Sequence, residues 1–154
     1  MKTWFIADGM LGKLAKWLRI LGCDTRYYPG TDDGELASAA LKEKRILLTR
    51  DTGLVRRKTL RQYLFIKSDD PFEQLREVIR AKQLTISREA LFSRCLTCNE
   101  KVVRIKKADV KEKVPAYVFE TQSYFKVCPK CKKVFWRGTH VDNTMKKIKS
   151  LTAT

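Results

Sequence analysis

A chain of 154 residues suffices for one ordinary domain or two small ones. With 44% hydrophobic residues, 32% charged residues and only 7 Gly and 4 Pro, the composition is that of a folded chain and excludes a disordered tail or a low-complexity segment. Lys and Arg number 33 against 17 Asp and Glu, a net +16, so a polyanion is the expected partner, nucleic acid first because each neutralised phosphate releases counterions.

No stretch reaches the roughly 18 consecutive apolar residues of a membrane span. Met1 to Asp8 also enters a strand-like segment without a signal-peptide core, so a cytoplasmic protein with no membrane association is expected. Thr3 to Asp8 (TWFIAD) reads as the first strand. Met10 to Leu21 follows as an amphipathic helix, with Leu11, Leu14, Leu18 and Leu21 on one stripe, Lys13, Lys16 and Arg19 on another, and Gly22 at its end. Thr25 to Tyr28 is a second strand, and a turn through Pro29 and Gly30 leads to a helix over Asp32 to Lys44, where Asp32 and Glu35 have capping-box spacing. Arg45 to Thr49 (RILLT) is a buried strand, Gly53 to Thr59 a short helical stretch, and Tyr63 to Lys67 (YLFIK) a fourth strand. Asp70-Pro71-Phe72-Glu73 opens a helix reaching about Lys82. Strands alternating with helices predict an α/β domain with a mainly parallel sheet.

The pattern changes after about Ser87. Residues 1–90 carry 18 basic and 12 acidic side chains, whereas residues 91–154 carry 15 and 5, which places a domain boundary near residue 90. In the second part Lys101 to Ile105, Ala116 to Phe119 and Tyr124 to Val127 are β-prone. A last helix should start after Thr139, with Val141, Met145 and Ile148 on one face and Thr139 and Asp142 as a cap.

Cys95, Cys98, Cys128 and Cys131 form two C-x-x-C pairs. Two such turns facing each other offer four thiolates in a tetrahedron, the shell of a structural zinc ion, with no open position for chemistry. An iron–sulfur cluster, a redox pair or reduced cysteines are the alternatives for the same residues. Cys23, alone near a helix end, reads as a small core residue.

Three acids fall where strands pass into helices or loops: Asp8, Asp33 beside Asp32, and Asp51. In a parallel α/β sheet the carboxyl ends of the strands share the edge where ligands bind. Each acid is also a good helix N-cap. Together they would repel without a cation, and hard oxygen ligands suit Mg²⁺ or Mn²⁺. Lys13, Lys16, Arg50, Arg56, Arg57 and Lys58 lie nearby in sequence, individually as solvated charges or collectively as a path for a phosphate backbone. Trp136 and Tyr124 are expected to pack in the small second core, base stacking being the alternative.

The segments FIADGMLGKLAKWLRILGCDT, DDGELASAA, RILLTRD, RCLTCNE, CPKC and FWRGTH, in this order, resemble the PIN-like ribonuclease of the Mut-seven carboxy-terminal RNase domain family. The resemblance runs from Trp4 to about Met145. It implies a PIN-like three-layer domain over residues 1–90 and a zinc ribbon with a C-terminal helix over residues 91–154. It further implies metal-dependent RNA hydrolysis with Asp8, Asp33 and Asp51 as the metal-binding catalytic acids. A fourth acid has no clear match, Asp69 and Asp70 being poorly aligned. His140, the one histidine, matches the G-T-H after the second cysteine pair, where contact with RNA phosphate, proton transfer or metal binding are its possible roles. The competing readings are a non-catalytic RNA-binding or ribosome-associated zinc-ribbon protein and, last, a phosphatase, whose D-x-D signature is missing because Gly9 and Met10 follow Asp8.

Overall fold

The computed structural model describes residues 3–152. Residues 1, 2, 153 and 154, the outer ends of the two expected domains, lie outside them. The chain forms two compact units, Met1–Asn99 and Glu100–Thr154.

The first unit is built on four parallel strands, β1 (Trp4–Ala7), β2 (Asp24–Tyr27), β3 (Ile46–Thr49) and β4 (Tyr63–Phe65), in the order β2-β1-β3-β4. Four helices connect or follow them: α1 (Gly12–Ile20), α2 (Asp33–Lys42), α3 (Thr52–Val55) and α4 (Pro71–Lys82). Strand residues alternate between the two faces. Ile6 and Leu47, which are register partners, pack on one face with Leu36 and Ala40 of α2 and Leu54 of α3. Helices α1 and α4 pair with each other, Trp17 meeting Phe72 edge-on at 5.3 Å. Leu14, Leu18, Leu75 and Val78 are all fully buried. Each such side chain contributes about 1.5–3 kcal/mol, which outweighs the weak propensity of such short strands.

Local signals set the helix ends. Asp32 accepts from the Glu35 N–H at 3.0 Å and Asp70 from the Glu73 N–H at 2.9 Å, each satisfying an orphan donor of the first turn. Glu35 does not close a reciprocal box, since its carboxylate takes the Tyr28 hydroxyl at 3.0 Å. Helix α1 ends through Gly22 at φ +89°, where a Cβ would lie 2.4 Å from the Ala90 carbonyl oxygen, so no other residue fits. Arg19 departs from the expected solvent-facing stripe. It is buried, and its guanidinium donates to the carbonyls of Thr25 at 2.9 Å and Leu96 at 2.6 Å.

The second unit holds an antiparallel sheet of β5 (Val103–Ile105), β6 (Phe125–Val127) and β7 (Val134–Phe135) in that order, with α5 (Ala116–Thr121) and α6 (Thr139–Thr152). Its core is Val110, Val114, Val118 and Phe125, with Ile105, Phe119, Val134 and Trp136 packed against it. Ala116 to Phe119, read as β-prone, is helical, because Pro115 starts a turn in which Val114 and Val118 face the same core. Asp142 lies in the first turn of α6, where its carboxylate accepts from Arg137 Nε at 3.0 Å. Among the described residues no helix is long and apolar enough to cross a membrane.

Candidate active site and cysteine metal centre

Because β1 and β3 are parallel neighbours, the residues that follow them emerge at one edge. Asp8 follows β1 and Asp51 follows β3 by two residues. Thr49, fully buried at the end of β3, joins them: its hydroxyl donates to Asp8 Oδ2 and accepts the Asp51 N–H at 3.0 Å. One hydroxyl proton and one incoming donor leave the Thr49 side chain a single orientation, which fixes the Asp8 carboxylate. Asp8 Oδ1 also accepts from the Met10 N–H at 2.9 Å. Asp51 Oδ1 caps α3 by accepting from Gly53 N–H at 2.8 Å and Leu54 N–H at 3.3 Å. Both acids therefore act as caps, and in each the partners are neutral donors that leave the negative charge uncancelled.

Asp33 is the first residue of α2, half-buried, with Asp32 as the cap before it. The Arg57 guanidinium reaches this turn, since a Cβ added at Gly34 would lie 3.2 Å from its Nη2. Among the described residues, none of Asp8, Asp33 and Asp51 is ion-paired with Lys or Arg, and they do not make a group of three close enough for one ion. Lys13, Lys16, Arg56, Arg57 and Lys58 are exposed. Arg50 is used within the fold, donating to the carbonyls of Ile66, Lys67 and Ser68, the latter two at 2.6 Å. Its spacing beside Asp51 could not disclose that, because the acceptors come from a turn 16 to 18 residues away. Thr49 is the residue missed in the sequence; its only signal is a hydroxyl closing an otherwise apolar strand.

The four cysteines are brought together. The ligand sulfurs of Cys95, Cys98, Cys128 and Cys131 all lie within 4.8 Å of one another. A tetrahedral zinc shell with Zn–S bonds of about 2.3 Å needs sulfurs roughly 3.8 Å apart, so the donor set fits zinc after a small contraction. The two turns share one geometry. Asn99 N–H donates to Cys95 O at 2.9 Å and Lys132 N–H to Cys128 O at 2.8 Å, with Asn99 and Lys132 both left-handed at φ 64° and 67°. The Cys131 N–H points at Cys128 Sγ at 3.5 Å. Cys23 stands apart: burial pushes its thiol up to about 11, outweighing the nearby Arg94 charge, so it is no nucleophile at neutral pH. His140 is exposed in the first turn of α6 and is not in the cysteine group, so it does not replace a ligand there.

The first cysteine turn is fastened to the first unit. Asn99 Oδ1 accepts from Thr25 N–H at 3.0 Å while its Nδ2 donates to Asp24 at 2.7 Å. Asp24 also takes Arg45 at 2.8 Å and lies 3.7 Å from Arg94. Burial alone would raise the Asp24 carboxyl; bonds from Arg45 and Asn99 and the charges of Arg45 and Arg94 bring it below the ordinary carboxylate range.

The first unit is a parallel α/β fold with acids at the carboxyl edge of its strands, and the four cysteines form a group that could hold a metal ion. The family model described as "Mut7-C RNAse domain" matches residues 3–148, and the chain belongs to that family. No curated protein and no solved structure matches it significantly.

Proposed function

We propose that the protein is a divalent-metal-dependent ribonuclease that hydrolyses RNA phosphodiester bonds at the edge carrying Asp8, Asp33 and Asp51. What supports this reading, beyond membership of an RNase-domain family, is the Asp8–Thr49–Asp51 link: two carboxylates on adjacent parallel strands, oriented by neutral donors and unpaired with any cation among the described residues. Carboxylates held this way, with no cation paired to them among the described residues, suit a hard divalent cation.

Asp8 and Asp51 would hold Mg²⁺ or Mn²⁺, and Asp33, outside single-ion reach of the other two, would act from the first turn of α2 through a metal-bound water. The bound ion supplies a water of lowered pKa and stabilises the leaving oxygen. Asp8 is held in one orientation by the Thr49 hydroxyl and the Met10 N–H. Lys13, Lys16, Arg56 and Arg57 carry the charge that draws the RNA backbone there. Zinc at the four cysteines would have a structural role only, adding folding free energy where the core of the second unit is small.

Cleavage of single-stranded, duplex and structured RNAs by wild type and Asp51→Asn, with Mg²⁺ or Mn²⁺ added or omitted, tests the proposal. Cleavage that needs both the metal and Asp51 is the expected result. Full activity in Asp51→Asn, or activity indifferent to added metal, would overturn it. The capping bonds at Asp8 and Asp51 favour a second reading, a non-catalytic RNA-binding protein, which predicts salt-sensitive binding without metal-dependent cleavage.

A further inference from the structure

We propose that one face of the β5-β6-β7 sheet, carrying Arg104, Tyr124, Lys126 and Phe135, is a stacking platform for single-stranded RNA; the choice of RNA rests on the ribonuclease reading above. The register puts Arg104 opposite Lys126 and Lys126 opposite Phe135, so the three form one row across the strands. The alternate residues Ile105, Phe125 and Val134 turn to the other face and join the core. The row is therefore not needed to hold the unit's interior together.

Its composition is costly for a sheet. Arg104 and Lys126 are like charges directly across an antiparallel pair, an arrangement that destabilises unless an anion lies between them. Among the described residues neither is ion-paired. Tyr124, expected in the core, is instead 49% exposed. Arg104 Cζ lies 4.8 Å and Lys126 Nζ 5.9 Å from its ring centroid, while Lys133 Nζ lies 5.7 Å from that of Phe135.

Exposed aromatic and guanidinium planes set among lysines are the chemistry of single-stranded RNA recognition: bases stack on the planes and phosphates follow the cations. A duplex hides its base faces, and an acidic peptide gains nothing from the rings. Residues 100–154, with 14 Lys and Arg against 5 acids, add the long-range field that draws a polyanion to this unit.

The test is binding of a labelled single-stranded RNA of about 12 nucleotides, within the span such surfaces occupy, to the full chain. Every variant carries Asp51→Asn so that turnover cannot consume the probe. Tyr124→Ala should weaken binding roughly tenfold, while Tyr124→Phe binds as the parent does. Arg104→Gln should lower the slope of log affinity against log salt by about one. Tyr124 and Arg104 are both exposed, so these changes leave the core intact. Unchanged binding in both Tyr124→Ala and Arg104→Gln overturns the platform, as does equal displacement of the RNA by polyglutamate, which would point to an acidic protein. Metal-dependent cleavage by the wild type, measured in parallel, separates the two proposals. A platform defect in a protein that never cleaves removes only the ribonuclease reading, whereas cleavage with unchanged binding removes only the platform.

Discussion

Two ends of the first sheet use aspartate in opposite ways. At the end where the strands begin, Asp24 is surrounded by Arg45, Arg94 and Asn99, and its charge is cancelled inside the fold. At the end where they finish, Asp8 and Asp51 receive a hydroxyl and backbone N–H groups, which fix direction and leave the charge in place. On the proposed reading, the difference separates an acid that holds structure from acids kept for a ligand. Stability is drawn from the first kind. The second kind is held by neutral donors alone among the described residues.

Breaking the functional end should give the largest effect. Asp51→Asn is expected to lower RNA cleavage at least about a hundredfold, the scale of losing support at a metal site. It should leave the thermal midpoint almost unchanged, because asparagine caps a helix as well as aspartate does. A melting curve beside a single-turnover assay checks both halves. A large loss of stability with the activity would place Asp51 with Asp24.

Thr49→Val, which keeps the shape and removes the hydroxyl, tests whether the link orients Asp8. An outer partner of a metal ligand is typically worth about 10–100-fold in metal affinity or activity, and the expected loss lies in that range, read as a raised metal requirement in cleavage titrations. If the Mg²⁺ or Mn²⁺ dependence does not move, the hydroxyl is only filling a buried site.

The structural end should respond the other way. Asp24→Asn is expected to cost about 1–3 kcal/mol, the range for a hydrogen-bonded charge, in denaturant unfolding, with cleavage by the folded fraction retained. The pH sign follows from its lowered folded-state pKa. The unfolded chain binds the proton first, so this stability is fully present above the unfolded value of about 3.9 and is lost as pH falls through the lower folded value. Wild type should therefore lose stability more steeply below about pH 4 than Asp24→Asn does, and parallel curves would show that the arginines do not act on this carboxylate.

A substitution of similar size separates neither end but tests the packing of the end of α1 against the segment that precedes the first cysteine turn. Gly22→Ala forces a left-handed alanine against the Ala90 carbonyl and should cost on the order of 1–3 kcal/mol. A midpoint equal to wild type would mean that this segment relaxes freely.

Much of this was legible from the residues because the physics involved is local. Asp70-Pro71 and Asp32 sit at helix starts by rules acting within one turn, and the helix α4 runs as its spacing predicts, from Pro71 to Lys82. The two C-x-x-C turns are likewise self-contained, and alternation of strands and helices was enough to place Asp8 and Asp51 at one edge. The remainder rests on contacts between residues distant in the chain. Arg19 and Arg50, which sequence places among surface charges, are consumed by carbonyls up to 78 residues away. Ala116 to Phe119 follows the core that Val118 reaches and not its own β propensity. Tyr124 is outside because the register of β6 points Phe125 inward. Above all, a carboxylate looks the same in sequence whether its neighbours will be arginines or a threonine hydroxyl. Tertiary packing determines which: Arg94 and Asn99 reach Asp24 from up to 75 residues further along the chain, whereas the hydroxyl at the end of β3 reaches Asp8.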